Sequence, residues 1–195
     1  MAKLRSVVCA GSSGGGKTTL ARELHARLPA NGDLNLLTWS RPGAAARAMG
    51  YEKPSAVPPE QMGAFQWYAL FTQIQAEQNL QRFIADRGVL DFLAYAMYQA
   101  PSVNEDYAKI ARREAEKYDL IVVVPPNSKG TEDNGIRHLH GVQEVHHHLC
   151  EAIDHFGLYE QTIFIEADDP VSRAHEVITE LARRNYLTAD GKDWA

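Results

Sequence analysis

A chain of 195 residues exceeds one typical domain only slightly, which argues for a single domain over residues 1–195 with a lid or insertion. Hydrophobic residues at 45% and charged residues at 23% exclude disordered, collagen-like and coiled-coil classes. A net charge of −5 disfavours wrapping bulk nucleic acid, and the lack of a signal peptide or of an apolar stretch near the roughly 18 residues of a membrane span makes a cytoplasmic protein without membrane attachment the expectation.

Apolar runs alternate with amphipathic segments of helix length, the pattern of an α/β fold with a parallel sheet. The first strand, Leu4 to Ala10, runs into Gly11-Ser12-Ser13-Gly14-Gly15-Gly16-Lys17-Thr18, and a helix over Lys17 to Leu28 follows. This is G-x-x-x-x-G-K-[ST] in the strand-loop-helix context the motif requires. A random chain of this length shows the pattern with a probability on the order of 1%. The spacing has a physical cause. Consecutive backbone N–H groups of a glycine-rich nest turn toward phosphate oxygens, side chains would obstruct that approach, and the following helix presents its positive end. Gly11, Ser12, Ser13, Gly14, Gly15, Gly16, Lys17, Thr18 and Thr19 are therefore the candidate ATP-binding residues. Lys17 should reach the β and γ phosphates, and the Thr18 hydroxyl should ligate Mg²⁺. Cys9, in this first strand, and Cys150, far downstream, lack CxxC spacing and are expected as reduced, buried thiols.

A second strand, Leu34 to Trp39, leads through Arg41 into a helix over Gly43 to Met49. Pro58-Pro59 marks the start of a helix over Glu60 to Leu80, where Phe65, Trp67, Tyr68 and Phe71 give a high aromatic density. Trp67 and Phe71 are four apart and share a face, which either stacks on an acceptor base or packs into the core. The short strand Arg82 to Ala85 delivers Asp86 at its carboxyl end, where parallel sheets place their ligands. Asp86 would face the P-loop magnesium, and Asp91, at the start of a helix over Leu90 to Gln99, would face the same cleft. The helix Glu105 to Lys117 reads as a solvated charged face. After a fourth strand, Leu120 to Val124, turn formers and charges cluster over Pro125 to Gly141; a loop of that length implies a lid of about 125–141, whose one arginine is Arg137. A helix over Val142 to His155 carries consecutive histidines; His140, Glu144 and His148 recur at a spacing that permits metal binding, beside the plainer reading of a solvated face. The last strand, Thr162 to Glu166, precedes Asp169-Pro170, a helix start for Val171 to Arg184.

A P-loop names a nucleotide and leaves the reaction open. The nearest candidate for a guanine-reading N-K-x-D, Asn127-Ser128-Lys129-Gly130, lacks the aspartate, and Asp86 is followed by Arg87 where a motor ATPase usually carries Asp-Glu. Both observations favour a kinase.

The P-loop, the Gln- and Glu-bearing helix segment Phe71 to Glu77, the Asp86-Arg87-Gly88-x-x-Asp91-x-x-Ala94-Tyr95 segment and Asn134-Gly135-Ile136-Arg137 together resemble the NadR-like P-loop kinases, the group with the nicotinamide riboside kinase domain. More distantly the chain resembles thymidylate and deoxynucleoside kinases. The resemblance implies a five-stranded parallel sheet in the kinase-like order 2-3-1-4-5, ATP as donor, and a small hydroxyl or phosphate acceptor of nucleoside or nucleotide type. It gives Asp86 a metal or base role, Arg87 a phosphate contact and Arg137 the part of lid arginine, and the loop after the last strand the adenine. One departure bears on the acceptor. Relatives often carry an acidic residue just after the second strand, whereas this chain reads Trp39-Ser40-Arg41-Pro42-Gly43-Ala44. The base role then falls to Asp86, Asp91 or water, and Arg41 and Arg47 favour an acceptor that already carries phosphate, or a nucleic-acid backbone. Trp39, Arg41, Trp67, Phe71 and Asp91 are the candidate acceptor-side residues. The expected activity is an ATP- and Mg²⁺-dependent phosphotransferase. Its alternatives are a kinase of hydroxymethylated bases in DNA and a nucleotide-dependent regulatory protein.

Overall fold

The computed structural model describes residues 4–28, 34–38, 41–100, 102–126 and 139–187, with the side chains of Arg41, Leu139 and His140 outside that description. Five strands, β1 (Ser6–Ala10), β2 (Leu34–Leu37), β3 (Arg82–Asp86), β4 (Leu120–Val123) and β5 (Thr162–Phe164), form one sheet in the order β2-β3-β1-β4-β5. Every pairing is parallel. The strand order expected from the resemblance is the one found, and each anticipated strand is present.

Alternation along the strands sorts the core into two layers. Val7 and Cys9 of β1, with Leu120 and Val122 of β4, pack against α1 (Lys17–Arg27) and α7 (Pro170–Arg183). Val8 and Ala10, with Ile121 and Val123, pack on the other face against α2 (Arg41–Ala48), α3 (Met62–Gln78), α4 (Val89–Gln99), α5 (Glu105–Ala115) and α6 (Leu139–Phe156). Strands covered on both faces read as unbroken apolar runs, which is why β4 was legible and is buried throughout. Each such aliphatic side chain contributes roughly 1.5–3 kcal/mol through its removal from water.

Element ends differ from the sequence reading for identifiable reasons. Strand β3 runs one residue further than expected, because Asp86 pairs with Cys9. Strand β1 begins at Ser6, since the Asp119 carboxylate takes the N–H groups of Arg5 and Ser6 at 2.6 and 2.9 Å. The Pro58-Pro59 start gives a short 3₁₀ turn over Pro59–Gln61 before α3 opens at Met62. Helix α6 opens at Leu139, three residues before the expected Val142, so the end of the anticipated lid is helical. Of that lid, residues 127–138, including Arg137, lie outside the described residues. Cys9 is buried as expected, but Cys150 is only half-buried, on α6; both thiols are free. Among the described residues no helix is long and apolar enough to cross a membrane.

Candidate active site

The loop between β1 and α1 is shaped by its glycines. Gly11 has φ +141°, and a Cβ there would lie 2.5 Å from the carbonyl oxygen of Val124, the residue that follows β4, so only glycine fits. Gly16, also left-handed at φ +91°, caps α1 with no side-chain acceptor on its first N–H groups. Those groups and the helix dipole are thereby left facing the loop, where they favour an anion.

Lys17 is 4% exposed, and its ammonium donates to the Ser12 carbonyl oxygen. Burial, and after it the Arg87 guanidinium, pull the Lys17 ammonium down to about 7. The Thr18 hydroxyl donates to the Asp86 carboxylate at 2.5 Å, which joins the P-loop to the end of β3. Thr18 and Thr19 are exposed, Asp86 buried. The Ser12 hydroxyl is buried and has no hydrogen-bond partner among the described residues.

Arg87 occupies the left-handed region at φ 81°, a conformation that costs a non-glycine residue on the order of 1–3 kcal/mol. Three side chains hold the backbone there. Gln73 donates to the Arg87 carbonyl at 3.3 Å, the Asp91 carboxylate accepts the Gly88 N–H at 3.0 Å, and the Tyr118 hydroxyl accepts the Val89 N–H at 3.0 Å. Glu77 fixes two of the three, accepting from Gln73 at 2.6 Å and from Tyr118 at 2.8 Å. The guanidinium that results from this geometry donates to the Gly11 carbonyl and to the Ser13 hydroxyl, each at 3.0 Å, and lies 5.2 Å over the Tyr95 ring. The Tyr95 hydroxyl meets the Ser13 hydroxyl at 2.9 Å.

Asp91, expected on the acceptor side, has other partners. It is 1% exposed, accepts the Gly11 N–H at 3.0 Å as well as that of Gly88, and pairs with Arg87 at 3.3 Å. Burial pushes its carboxyl up, against the opposing charges of Arg87 and Lys17. The carboxylate thus caps α4 and anchors the first residue of the phosphate loop. Asp91→Asn should lower stability by about 2–4 kcal/mol, because an amide oxygen cannot serve both N–H groups and the guanidinium loses its counter-charge. A urea midpoint equal to that of the wild type would show the carboxylate to be dispensable there.

The aromatic residues of α3 form a separate cluster. Trp67 stacks on Phe71 at 5.4 Å and meets Tyr107 edge-on at 5.0 Å, while Phe71 is 51% exposed. Trp39 and Arg137 lie outside the described residues, as does the Arg41 side chain; Arg47 is exposed on α2. On α6, His147 and His148 pair with Glu151 at 3.3 and 2.9 Å, the solvated-face arrangement. His146 approaches the Cys150 sulfur at 3.8 Å, and burial together with the Lys17 charge holds its imidazole below the usual value. No cluster of three metal-binding side chains occurs among the described residues.

The structure therefore brings together Gly11 to Thr18, Asp86, Arg87 and Asp91, and adds residues that the sequence reading did not assign. Gln73 and Glu77 carried a signal, as buried polar residues four apart on an apolar helix. Tyr118 carried none that is local.

A family model described as an AAA domain matches residues 6–170. Solved structures that share the fold include the following three. NadR in complex with NR is 21% identical with a TM-score of 0.66; the match covers 92% of this chain but only 51% of NadR, so the chain spans about half of that protein. Deoxyadenosine kinase from M. mycoides, with the products dCMP and a flexible dCDP bound, is 12% identical over 91% of this chain and 99% of its own, at a TM-score of 0.61. Thymidylate kinase from Candida albicans is 15% identical over 93% of both chains, at a TM-score of 0.61. At these identities the likeness is one of fold. No curated protein sequence matches the chain.

Proposed function

We propose that this chain, which belongs to the AAA domain family, is a phosphotransferase moving the ATP γ-phosphoryl group to a nucleoside- or nucleotide-type acceptor. The observation that carries this reading is the meeting of the Thr18 hydroxyl with the Asp86 carboxylate at the mouth of the glycine nest, beside Lys17. A hydroxyl and a carboxylate are hard oxygen donors of the kind Mg²⁺ takes, in the small number it uses when substrate phosphates complete its shell. Thr18 and Asp86 would hold the ion, which when bound offsets charge on the transferring group. The NadR, thymidylate kinase and deoxyadenosine kinase folds support the acceptor class.

In this reading the nest binds the phosphates through backbone N–H groups. Lys17 leaves the Ser12 carbonyl for the β and γ phosphates, and Arg87, already against Ser13, meets charge that grows during transfer. The base is Asp86 or water, since the Asp91 carboxylate is enclosed. Arg137 would add charge from the lid. Incubating the protein with labelled ATP and, in parallel, nucleosides, nucleotides and hydroxymethylated DNA tests the reading. Label in a nucleoside or nucleotide is the expected outcome; label in the DNA alone would favour the base-kinase alternative.

The depressed Lys17 ammonium predicts a pH effect. Polyphosphate raises its pKa, so protonation favours binding: the affinity for ATP is complete below pH about 7 and falls above it, by at most about tenfold per pH unit. Calorimetry in buffers of differing ionisation enthalpy should show close to one proton taken up per ATP at pH 8 and little at pH 6. Equal uptake at both would assign the effect to another group.

A further inference from the structure

We propose that Arg173 and Glu176 are positioning residues of the donor site, which set the loop after β5 and tie it to the phosphate loop. The inference rests on the nucleotide reading above and goes beyond it, because it concerns how a base at that loop is coupled to phosphates at the P-loop.

Helix α7 opens on Pro170, with the Asp169 carboxylate accepting the N–H groups of Val171 and Ser172 at 3.0 Å. Arg173 and Glu176, three apart, lie on one face of that helix. The Glu176 carboxylate accepts the N–H groups of Glu166 and Ala167 at 3.2 and 2.9 Å. Arg173 Nε donates to the Ala167 carbonyl at 2.7 Å, so Ala167 is held at both its backbone groups. The second arm of the same guanidinium, Nη1, donates to the Gly15 carbonyl of the P-loop. Arg173 is 5% exposed, and a Cβ built on Gly16 would lie 3.0 Å from Nη1.

One planar cation thus spans two loops that are far apart in sequence and adjacent at the carboxyl ends of the strands, where parallel sheets bind ligands. The bridge depends on the rigid fork of arginine. A lysine keeps the charge but, as a single point donor, cannot hold both carbonyls in that geometry. The two contributions, charge at the phosphates and register of the base loop, are therefore separable.

Calorimetric titration of ATP and of inorganic tripolyphosphate, each with Mg²⁺, into the wild type, Arg173→Lys and Glu176→Gln separates them. The wild type should bind ATP more tightly than tripolyphosphate. In Arg173→Lys that preference should shrink about tenfold while tripolyphosphate affinity moves by less than about threefold, and Glu176→Gln should shrink it in the same direction. Equal weakening of both ligands would mean a role in the P-loop alone and overturn the proposal. So would an unchanged preference in both variants, or a wild type that binds the two ligands equally. If the wild type binds neither, the nucleotide reading itself fails. Should Arg173→Lys not fold, Glu176→Gln alone decides, since it leaves the contact to Gly15 in place.

Discussion

Lys17→Ala is expected to lower phosphoryl transfer by about 10²-fold or more, while the folded protein melts no lower than the wild type. The first part follows from the work assigned to the ammonium, which neutralises charge that peaks during transfer. The second follows from its setting. A lysine 4% exposed, with its ammonium pulled down to about 7 by burial, has a charged form that is costly to the unliganded fold, and alanine removes that cost. Steady-state turnover and a thermal melt on one preparation check both parts. A variant keeping more than about a tenth of wild-type turnover would remove Lys17 from the mechanism.

Asp86→Asn should lose transfer to a similar extent, about 10²-fold, with raised Mg²⁺ restoring only part. The amide is a poorer metal ligand and no base, although its oxygen can still accept the Thr18 hydroxyl that the carboxylate now accepts at 2.5 Å. Stability should change little beside the loss produced by Asp91→Asn, and this contrast separates the two carboxylates. Asp86 stands at a strand end beside the P-loop, while Asp91 holds Gly11 and Gly88 together. Turnover per folded molecule, measured for both variants across Mg²⁺ concentrations, gives the comparison. If Asp91→Asn were the more damaging, the base would have to be reassigned to it.

Much of the fold was legible because its signals are local. The glycine-lysine motif, the buried run of β4 and Asp86 after a short apolar strand each declare themselves within a few residues. Asp91 was legible as a candidate and illegible as to role: its partner Gly11 lies 80 residues upstream and reaches it only because β3 pairs beside β1. Arg173 is the extreme case, since the carbonyl it bridges is 158 residues away. The strain at Arg87 was also hidden. Nothing in Asp86-Arg87-Gly88 says that the arginine, and not the glycine after it, takes the left-handed conformation; that is imposed by Gln73, Tyr118 and Asp91 from three other places in the chain. Helical spacing put Trp67 and Phe71 on one face, as observed, but periodicity does not tell a core face from an exposed one, and Phe71 is half exposed.

Transfer to an acceptor separates from hydrolysis or mere binding in the first turnover. Protein in excess over γ-labelled ATP and Mg²⁺ is mixed with the acceptor selected from the nucleoside and nucleotide panel, and the label is followed into acceptor and into inorganic phosphate. Most of the label should enter the acceptor, and that entry should vanish with Lys17→Ala. Label found only in inorganic phosphate, at a rate that no acceptor changes, would make the chain a nucleotide-hydrolysing switch and not a transferase.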